Sequence, residues 1–375
     1  MTSIVDLKKS QHNRPHEFVK YLSKNHEITV VSINDWWKGG QDDLASYSAS
    51  FDDLFQNINY HYLTDRKISP ILQEVLFSGK IKELSKEQFD IHLNYNSLLT
   101  GYEASKKFKT VFDMADDLTE MIRASPQIPR FMRPLGGLLG NFYIKKNISN
   151  AELVILTTNN LIDAYKIPKT KSKLISNGVD IKNFYYHDNA KKELNLDDFI
   201  IGYVGVLREW VNFEPVFKAL NFLENNVKFM IVGSEGNINY HKKLAKRYNV
   251  QDRVIFTGMV PYSEVPLYIS AMDICLVPFE TSGIAENALP LKLFEYMACE
   301  RPIISTDISA VKQVVGNMIL YSSDTDGYIK NINCLYDDSK LRQKLGKKGR
   351  KLVEKEYDWK VIVKELEQIL INVKG

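Results

Sequence analysis

Short apolar runs recur along the chain, and between them lie stretches in which apolar residues return every three or four positions. The runs read as strands buried on both faces and the stretches between them as amphipathic helices, so the alternation predicts an α/β protein with parallel sheets. Strands are predicted at 4–5, 27–33, 60–63, 89–95, 110–113, 151–157, 173–180, 199–206, 227–232, 254–260, 274–278 and 302–305. Beyond Met318 the pattern is helical throughout, over 326–337, 339–357 and 359–373.

The stretch from Thr281 to Thr306 carries the most information. A loop of small and polar residues runs to Pro290, a helix starts there and a buried strand follows. Proline is tolerated at a helix start because its missing N–H has no intrahelical partner. Leu291, Phe294, Glu295 and Ala298 fall on one face of that helix, so a carboxylate stands one turn in, among apolar neighbours. The N–H groups and positive dipole end of a helix start attract phosphate, and a nearby carboxylate can accept from a hydroxyl pair. Asn287, Ala288, Leu289 and Lys292 around phosphates and sugar, with Glu295 on a ribose, therefore suit a nucleotide diphosphate. The bland alternative for Glu295 is a helix-surface carboxylate beside a lysine.

Other strand ends carry chemistry too. The order strand, loop, helix, strand at 4–33 is a parallel βαβ unit, in which ligands meet the loops at the carboxyl ends of the strands. Its first loop has no Gly, and Arg14 and His16 are the polar residues there that could touch an acceptor. Asn94 and Tyr95 end the strand at 89–95, and Trp36-Trp37 beside Gly39-Gly40 suit either a recognition surface or plain packing. The strand at 110–113 ends in Asp113, with Asp116 and Asp117 close behind, where an α/β fold places catalytic groups. Carboxylates this close repel, which raises the pKa of at least one or recruits a cation. Asp113, with Asp116 beside it, is the candidate for activating an acceptor hydroxyl; a helix N-cap at Asp116 or Asp117 and a metal site are the competing readings. Gly205 at the end of the strand at 199–206 lets a ligand approach the backbone, and Arg208 could hold it by paired charged hydrogen bonds. Gly233 opens the turn Gly233-Ser234-Glu235-Gly236 at another strand end.

Composition narrows the class. A chain of 375 residues fits two domains, and 44% hydrophobic with 25% charged residues excludes disordered and fibrous classes. No apolar run reaches the length of a membrane span and the first residues lack a signal-peptide core, so a cytoplasmic location is expected. Cys275, Cys299 and Cys334 lie in apolar segments at unrelated spacings and read as buried thiols of a reduced compartment. The net charge of +3 says little, but its distribution says more, since no acidic residue stands between Glu120 and Glu152. Arg123, Arg130, Arg133, Lys145 and Lys146 there interleave with apolar residues. Segment 123–146 suits peripheral contact with an anionic membrane face, or else a helix packed on a sheet with its cations in water. Pro126, Pro129 and Pro134 interrupt it, so a helix is clearest after Leu138. One basic segment is too small a footprint for nucleic acid, and none is expected.

These residues resemble the GT-B glycosyltransferases, closest to glycosyltransferase family 4, the group 1 glycosyltransferases. The resemblance rests first on Asn287-x-x-Pro290-x-Lys292-x-x-Glu295-Tyr296-x-Ala298, and some members with this motif also carry a strand ending in Asp followed by an Asp-Asp pair. It implies two Rossmann-like domains facing each other across a cleft. An acceptor-side domain would span 1–178 and a nucleotide-sugar-binding domain 179–355, joined at Asn177-Gly178-Val179-Asp180. A last helix at 356–375 would cross back onto the first domain. The resemblance also implies base contacts from Phe256, Thr257 and Gly258, and a diphosphate clamp from Arg208. The implied activity is hexosyl transfer from a nucleotide-diphosphate sugar to a hydroxyl of a glycan or lipid-linked acceptor, in cell-envelope polysaccharide or glycoconjugate synthesis. Neither metal nor other cofactor is implied, and the location would be the cytoplasm, at the inner membrane face.

The chain also departs from the family pattern. Asn287 replaces the first of two glutamates, with Glu286 one place off, Pro290 stands where Gly is usual, and Val211, Asn212 and Phe213 occupy the place of a clamping Lys. A catalytic duty of the first Glu therefore does not carry over. A degenerate nucleotide-sugar-binding partner protein and an epimerase or hydrolase on the same fold stay open as alternatives, as does the stereochemistry.

Overall fold

Runs of Val, Ile, Leu and Phe that can be buried on both faces become the strands of two parallel sheets, and amphipathic helices cover them. The computed structural model describes residues 1–10, 12–36, 52–84, 86, 88–125, 128–233, 236–281 and 283–375. Trp37, Gly39, Gly40, Pro126, Ser234 and Glu235, singled out above, lie outside the described residues. The chain divides into two compact units, Met1–Ser176 with Lys360–Gly375, and Asn177–Trp359.

The first unit holds β1 (Thr2–Ser3), β2 (Thr29–Ser32), β3 (Asn59–Tyr62), β4 (His92–Tyr95), β5 (Thr110–Met114), β6 (Leu153–Leu156) and β7 (Ser172–Leu174). They form one parallel sheet in the order β3-β2-β1-β4-β5-β6-β7. The second unit holds β8 (Phe199–Val204), β9 (Val227–Val232), β10 (Val254–Gly258), β11 (Ile274–Val277), β12 (Ile303–Ser305) and β13 (Leu320–Tyr321). Their order is β10-β9-β8-β11-β12-β13, again all parallel. Each sheet winds outward in both directions from its first strand. The switch points therefore lie between β1 and β4 and between β8 and β11, and loops beyond the carboxyl ends there are where such folds hold ligands.

Several predicted elements shift, for local reasons. The Arg133–Asn150 helix begins well before Leu138, because Pro134 occupies its first turn, where no hydrogen bond is lost. The Glu214–Leu220 helix likewise carries a proline, Pro215, in its first turn. Leu320–Tyr321 is a strand within what reads as a helical region, since two residues are too few to display a period. Ile284–Asn287 is a helical turn inside the predicted loop. Cys275 and Cys299 are buried, but Cys334 is exposed on the Thr325–Asp337 helix, which corrects its reading as a buried thiol.

From Lys360 onward the Trp359–Lys374 helix belongs to the first unit. It is fastened there by Lys173 to Glu365 at 3.0 Å, His26 to Glu367 at 2.7 Å and Lys374 to Asp90 at 2.9 Å. Among the described residues no helix is long and apolar enough to cross a membrane.

Candidate functional site

In the first unit, the candidate groups gather at the carboxyl ends of β1, β4 and β5. Arg14 opens the Arg14–Leu22 helix after the β1 loop, and its guanidinium meets Asp113 side-on. Nε donates to Oδ2 at 2.8 Å and Nη2 to Oδ1 at 3.1 Å, while Nη1 donates to the Ser176 carbonyl at 2.6 Å. Both residues are buried, at 2% and 0% exposure, and the guanidinium also lies 4.5 Å from the Phe18 ring centre. Burial pushes the Asp113 carboxyl above its ordinary value and the Arg14 charge opposes that shift. Both oxygens of the carboxylate expected to activate an acceptor are thus engaged by a cation.

Asp116 is different. It is half-buried, accepts from Asn96 Nδ2 at 3.2 Å, and has its pKa raised by burial, with the Asp113 charge adding to the shift and the Asn96 bond opposing it. Asp117 is the N-cap of the Leu118–Ala124 helix, accepting from Glu120 N at 3.2 Å, so of the two residues considered for capping it is Asp117 that does it. Asn96 escaped the sequence reading. Its φ of 53° turns the chain after β4, its side chain accepts from Ala115 N, and its own N–H donates to the Asp113 carbonyl. An Asn just past an apolar strand was the available signal, because Asn tolerates the left-handed conformation.

Of the remaining first-unit candidates, His16, Asn94 and Tyr95 are drawn into the interior, while Trp36 stays 37% exposed. His16 is fully buried, with Nε2 on the Leu7 carbonyl and Nδ1 on Asn13, and burial lowers its pKa to about 4. It closes the helix N-terminus as a neutral ring. Asn94, also fully buried, bonds Thr2 and Asn147 and both backbone groups of Ser97. Tyr95 is 5% exposed and burial raises its pKa. Trp36 donates from Nε1 to the Ile68 carbonyl at 3.1 Å.

In the second unit, three strands of the sheet end in glycines that meet. Gly205, Gly233 and Gly258 follow or close β8, β9 and β10, with φ of 130°, 132° and 77°. Gly233 N donates to the Gly258 carbonyl at 2.9 Å and Gly205 N to the Val232 carbonyl at 2.9 Å. A Cβ added at Gly233 would lie 2.4 Å from the Gly205 carbonyl oxygen. The result is a shelf of backbone without side chains.

Lys292 overhangs this shelf from the first turn of the Leu291–Ala298 helix. A Cβ at Gly205 would be 2.9 Å from its Nζ, which lies 3.9 Å from the Tyr203 ring centre and donates to Tyr203 Oη at 2.5 Å. Tyr203 in turn donates to the Val206 carbonyl at 2.9 Å. Burial lowers the Lys292 pKa to about 7, with Glu295 opposing the shift and Arg208 adding to it. Glu295 is half-buried one turn on, and Arg208 is exposed on the loop after β8. That loop is held against the one after β11 through Glu280 N on the Trp210 carbonyl and Asn212 N on the Pro278 carbonyl, both at 2.8 Å. Tyr296 Oη accepts from Val204 N at 2.8 Å and so pins the helix to the end of β8. In the preceding segment Leu289 is buried, its carbonyl taken by Asn177 Nδ2 at 2.7 Å, while Asn287 and Ala288 are half-buried. Phe256 and Thr257 lie on β10, the sheet's edge strand, and are half-buried. Tyr203 had no sequence signal, because a Tyr inside an apolar strand reads as packing.

The structure therefore brings Gly205, Gly233, Gly258, Lys292 and Glu295 to one end of the second sheet, and Arg14, Asp113 and Asp116 to one end of the first. Among the described residues no three His, Cys, Asp or Glu side chains form a group that could hold a metal ion.

The fold agrees with that of known proteins. Residues 187–352 match the family model of the glycosyl transferases group 1. Over 208 residues the chain is 26% identical to the capsular polysaccharide biosynthesis glycosyltransferase CapM of Staphylococcus aureus, covering 52% of each chain. The chain thus spans about half the length of that curated relative. In structure it is similar to sucrose-phosphate synthase from Thermosynechococcus elongatus, with a TM-score of 0.78 at 19% identity over 99% of this chain and 98% of the other. It is also similar to Anabaena HepE in complex with UDP-glucose, with a TM-score of 0.73 at 16% identity over 97% and 98%. Residues 187–352 are accordingly similar to the glycosyl transferases group 1, and the chain has the two-sheet fold of the GT-B glycosyltransferases.

Proposed function

We propose that this protein transfers a sugar from a nucleotide-diphosphate sugar to a hydroxyl of a glycan or lipid-linked acceptor, without a metal, in the synthesis of a cell-envelope polysaccharide. The observation that carries the reading is the shelf of Gly205, Gly233 and Gly258 under Lys292, one turn from Glu295. Bare backbone admits a diphosphate at close range, and the ammonium and the start of the Leu291–Ala298 helix balance its charge. Glu295 accepts from the ribose hydroxyls, and the base lies along the Phe256–Gly258 edge. As the sugar leaves, charge develops on the diphosphate, where Lys292 and Arg208 stabilise it.

On the acceptor side, Asp116 takes the hydroxyl proton and the Arg14–Asp113 pair positions the loop that carries it. The raised pKa of Asp116 supports this division of roles, as does the full engagement of Asp113 by Arg14. A polymer of the envelope is supported by the capsular role in the name of the Staphylococcus aureus relative, and a UDP-sugar by the ligand of the Anabaena neighbour. The reading includes peripheral contact of segment 123–146 with the inner membrane face, supported by its acid-free sequence and by Phe131, which is 83% exposed.

The test is acceptor-dependent turnover. The purified full chain, given UDP-, GDP- and ADP-sugars with envelope-derived glycans and lipids, is expected to release nucleoside diphosphate only when both donor and acceptor are present. Release at the same rate without acceptor would make it a hydrolase and overturn the reading.

A further inference from the structure

One face of the first sheet is apolar on its outer surface. The connections from β3 to β4, β4 to β5 and β5 to β6 all move the same way across the sheet, so right-handed crossovers place their helices on one face. These connections include the Pro70–Phe77, Leu99–Ser105 and Arg133–Asn150 helices, and the middle one is tied to both of its neighbours. Glu74 Oε2 accepts from Leu98 N and Leu99 N at 3.3 and 3.0 Å, while Asn147 Nδ2 donates to the Leu98 carbonyl at 2.9 Å and Asn150 Nδ2 to Ser105 Oγ at 3.1 Å.

Glu74 and Asn147 are buried, which fixes which sides of the two flanking helices turn inward. Outward, the Pro70–Phe77 helix exposes Ile71, Leu72, Val75 and Leu76, by 47 to 62%. The Arg133–Asn150 helix exposes Leu135, Leu138, Leu139 and Phe142, by 52 to 63%, with Phe131 just ahead of it. Arg66 and Lys67 precede the first helix, and Arg130, Arg133, Lys145 and Lys146 stand on or next to the second.

We propose that these two helices form one bilayer-docking surface that takes an anionic membrane face. The inference rests on the membrane contact in the functional reading above and adds the Pro70–Phe77 helix as its second half. An anionic lipid surface neutralises the cations and accepts the apolar side chains at the boundary of headgroups and acyl chains. A symmetric contact with a second copy would instead set the same cations against each other.

The test is sedimentation of the full chain with phosphatidylcholine vesicles, with and without phosphatidylglycerol. Binding is expected only with phosphatidylglycerol and should weaken as salt rises. Leu72→Ser with Leu76→Ser, and separately Leu138→Ser with Phe142→Ser, should each lower the vesicle partition at least about tenfold. Lys145→Glu with Lys146→Glu should lower it by a similar factor. Because all these side chains are exposed, the variants are expected to keep the unfolding midpoint and the UDP response of the parent. Wild-type partition by the Leu72 and Leu76 variant, or equal binding to neutral vesicles, would overturn the proposal. So would self-association in the absence of lipid that the same substitutions abolish. A chain that ignores UDP, GDP and ADP but binds vesicles in this pattern keeps the surface and loses the transferase reading.

Discussion

Arg14→Ala is expected to destabilise the first unit by about 3–5 kcal/mol, because it leaves Asp113 as an unpaired buried carboxylate. The pair is side-on, nearly without solvent access, and linked on to the Ser176 carbonyl, so neither water nor another side chain shown on Asp113 can replace the guanidinium. The penalty belongs to the orphaned charge and not to the contact as such. Arg14→Met combined with Asp113→Leu should therefore recover most of the loss, since buried ion pairs often exchange for apolar residues of similar volume at little cost. Urea unfolding of the parent, Arg14→Ala and the double variant measures this directly. A loss under about 1 kcal/mol for Arg14→Ala would mean that Asp113 finds water, and its role as a locked positioning group would fall.

Gly233→Ala is the second large expectation, and it strikes the other unit. The new Cβ would stand 2.4 Å from a backbone oxygen, that of Gly205, which cannot rotate away. The φ of 132° adds strain of about 1–3 kcal/mol for a residue with a side chain. Together these predict a loss of about 3 kcal/mol or more, with donor binding abolished even where the fold survives, because relief of the clash parts the ends of β8 and β9. Gly258→Ala, at a φ of 77° with nothing within 4 Å of its added Cβ, should cost only the backbone strain. Equal losses for the two variants, seen in unfolding midpoints and UDP binding, would contradict the shelf as a close-packed device.

The sequence made the strands legible where burial on both faces wrote continuous apolar runs, as at β5, β8, β9 and β11. It was poor where an element is too short to hold a period, as at β1 and β13, or where a proline begins a helix that looks interrupted, as at Arg133–Asn150. The second-unit candidates followed from rules that act locally: Gly at strand ends, Pro at a helix start and a carboxylate one turn on. The first-unit candidates depend on partners far away in the chain. Nothing near Asp113 announces that Arg14, 99 residues earlier, will take both of its oxygens. Nor could spacing tell that Asn94 would spend its amide inside the sheet while Asn96 held the carboxylate loop. His16 is of the same kind, a polar residue whose bonds to Leu7 and Asn13 turn it from a surface contact into a buried cap.

The second unit is expected to bind a nucleotide diphosphate over the glycine shelf, and thermal unfolding with saturating UDP, GDP or ADP is the measurement that checks this. A nucleotide at about 100 times its Kd stabilises the protein by about 2.7 kcal/mol. One nucleotide is expected to raise the unfolding midpoint in the parent and to lose that effect in Glu295→Ala. Burial holds the Lys292 amine down at about 7, and a bound anion favours its charged form. Affinity should therefore fall as pH rises above 7, by at most about tenfold per unit, and this slope should flatten in Lys292→Arg, whose charge does not titrate in that range. No shift with any of the three nucleotides, or a shift that Glu295→Ala leaves intact, would contradict the account.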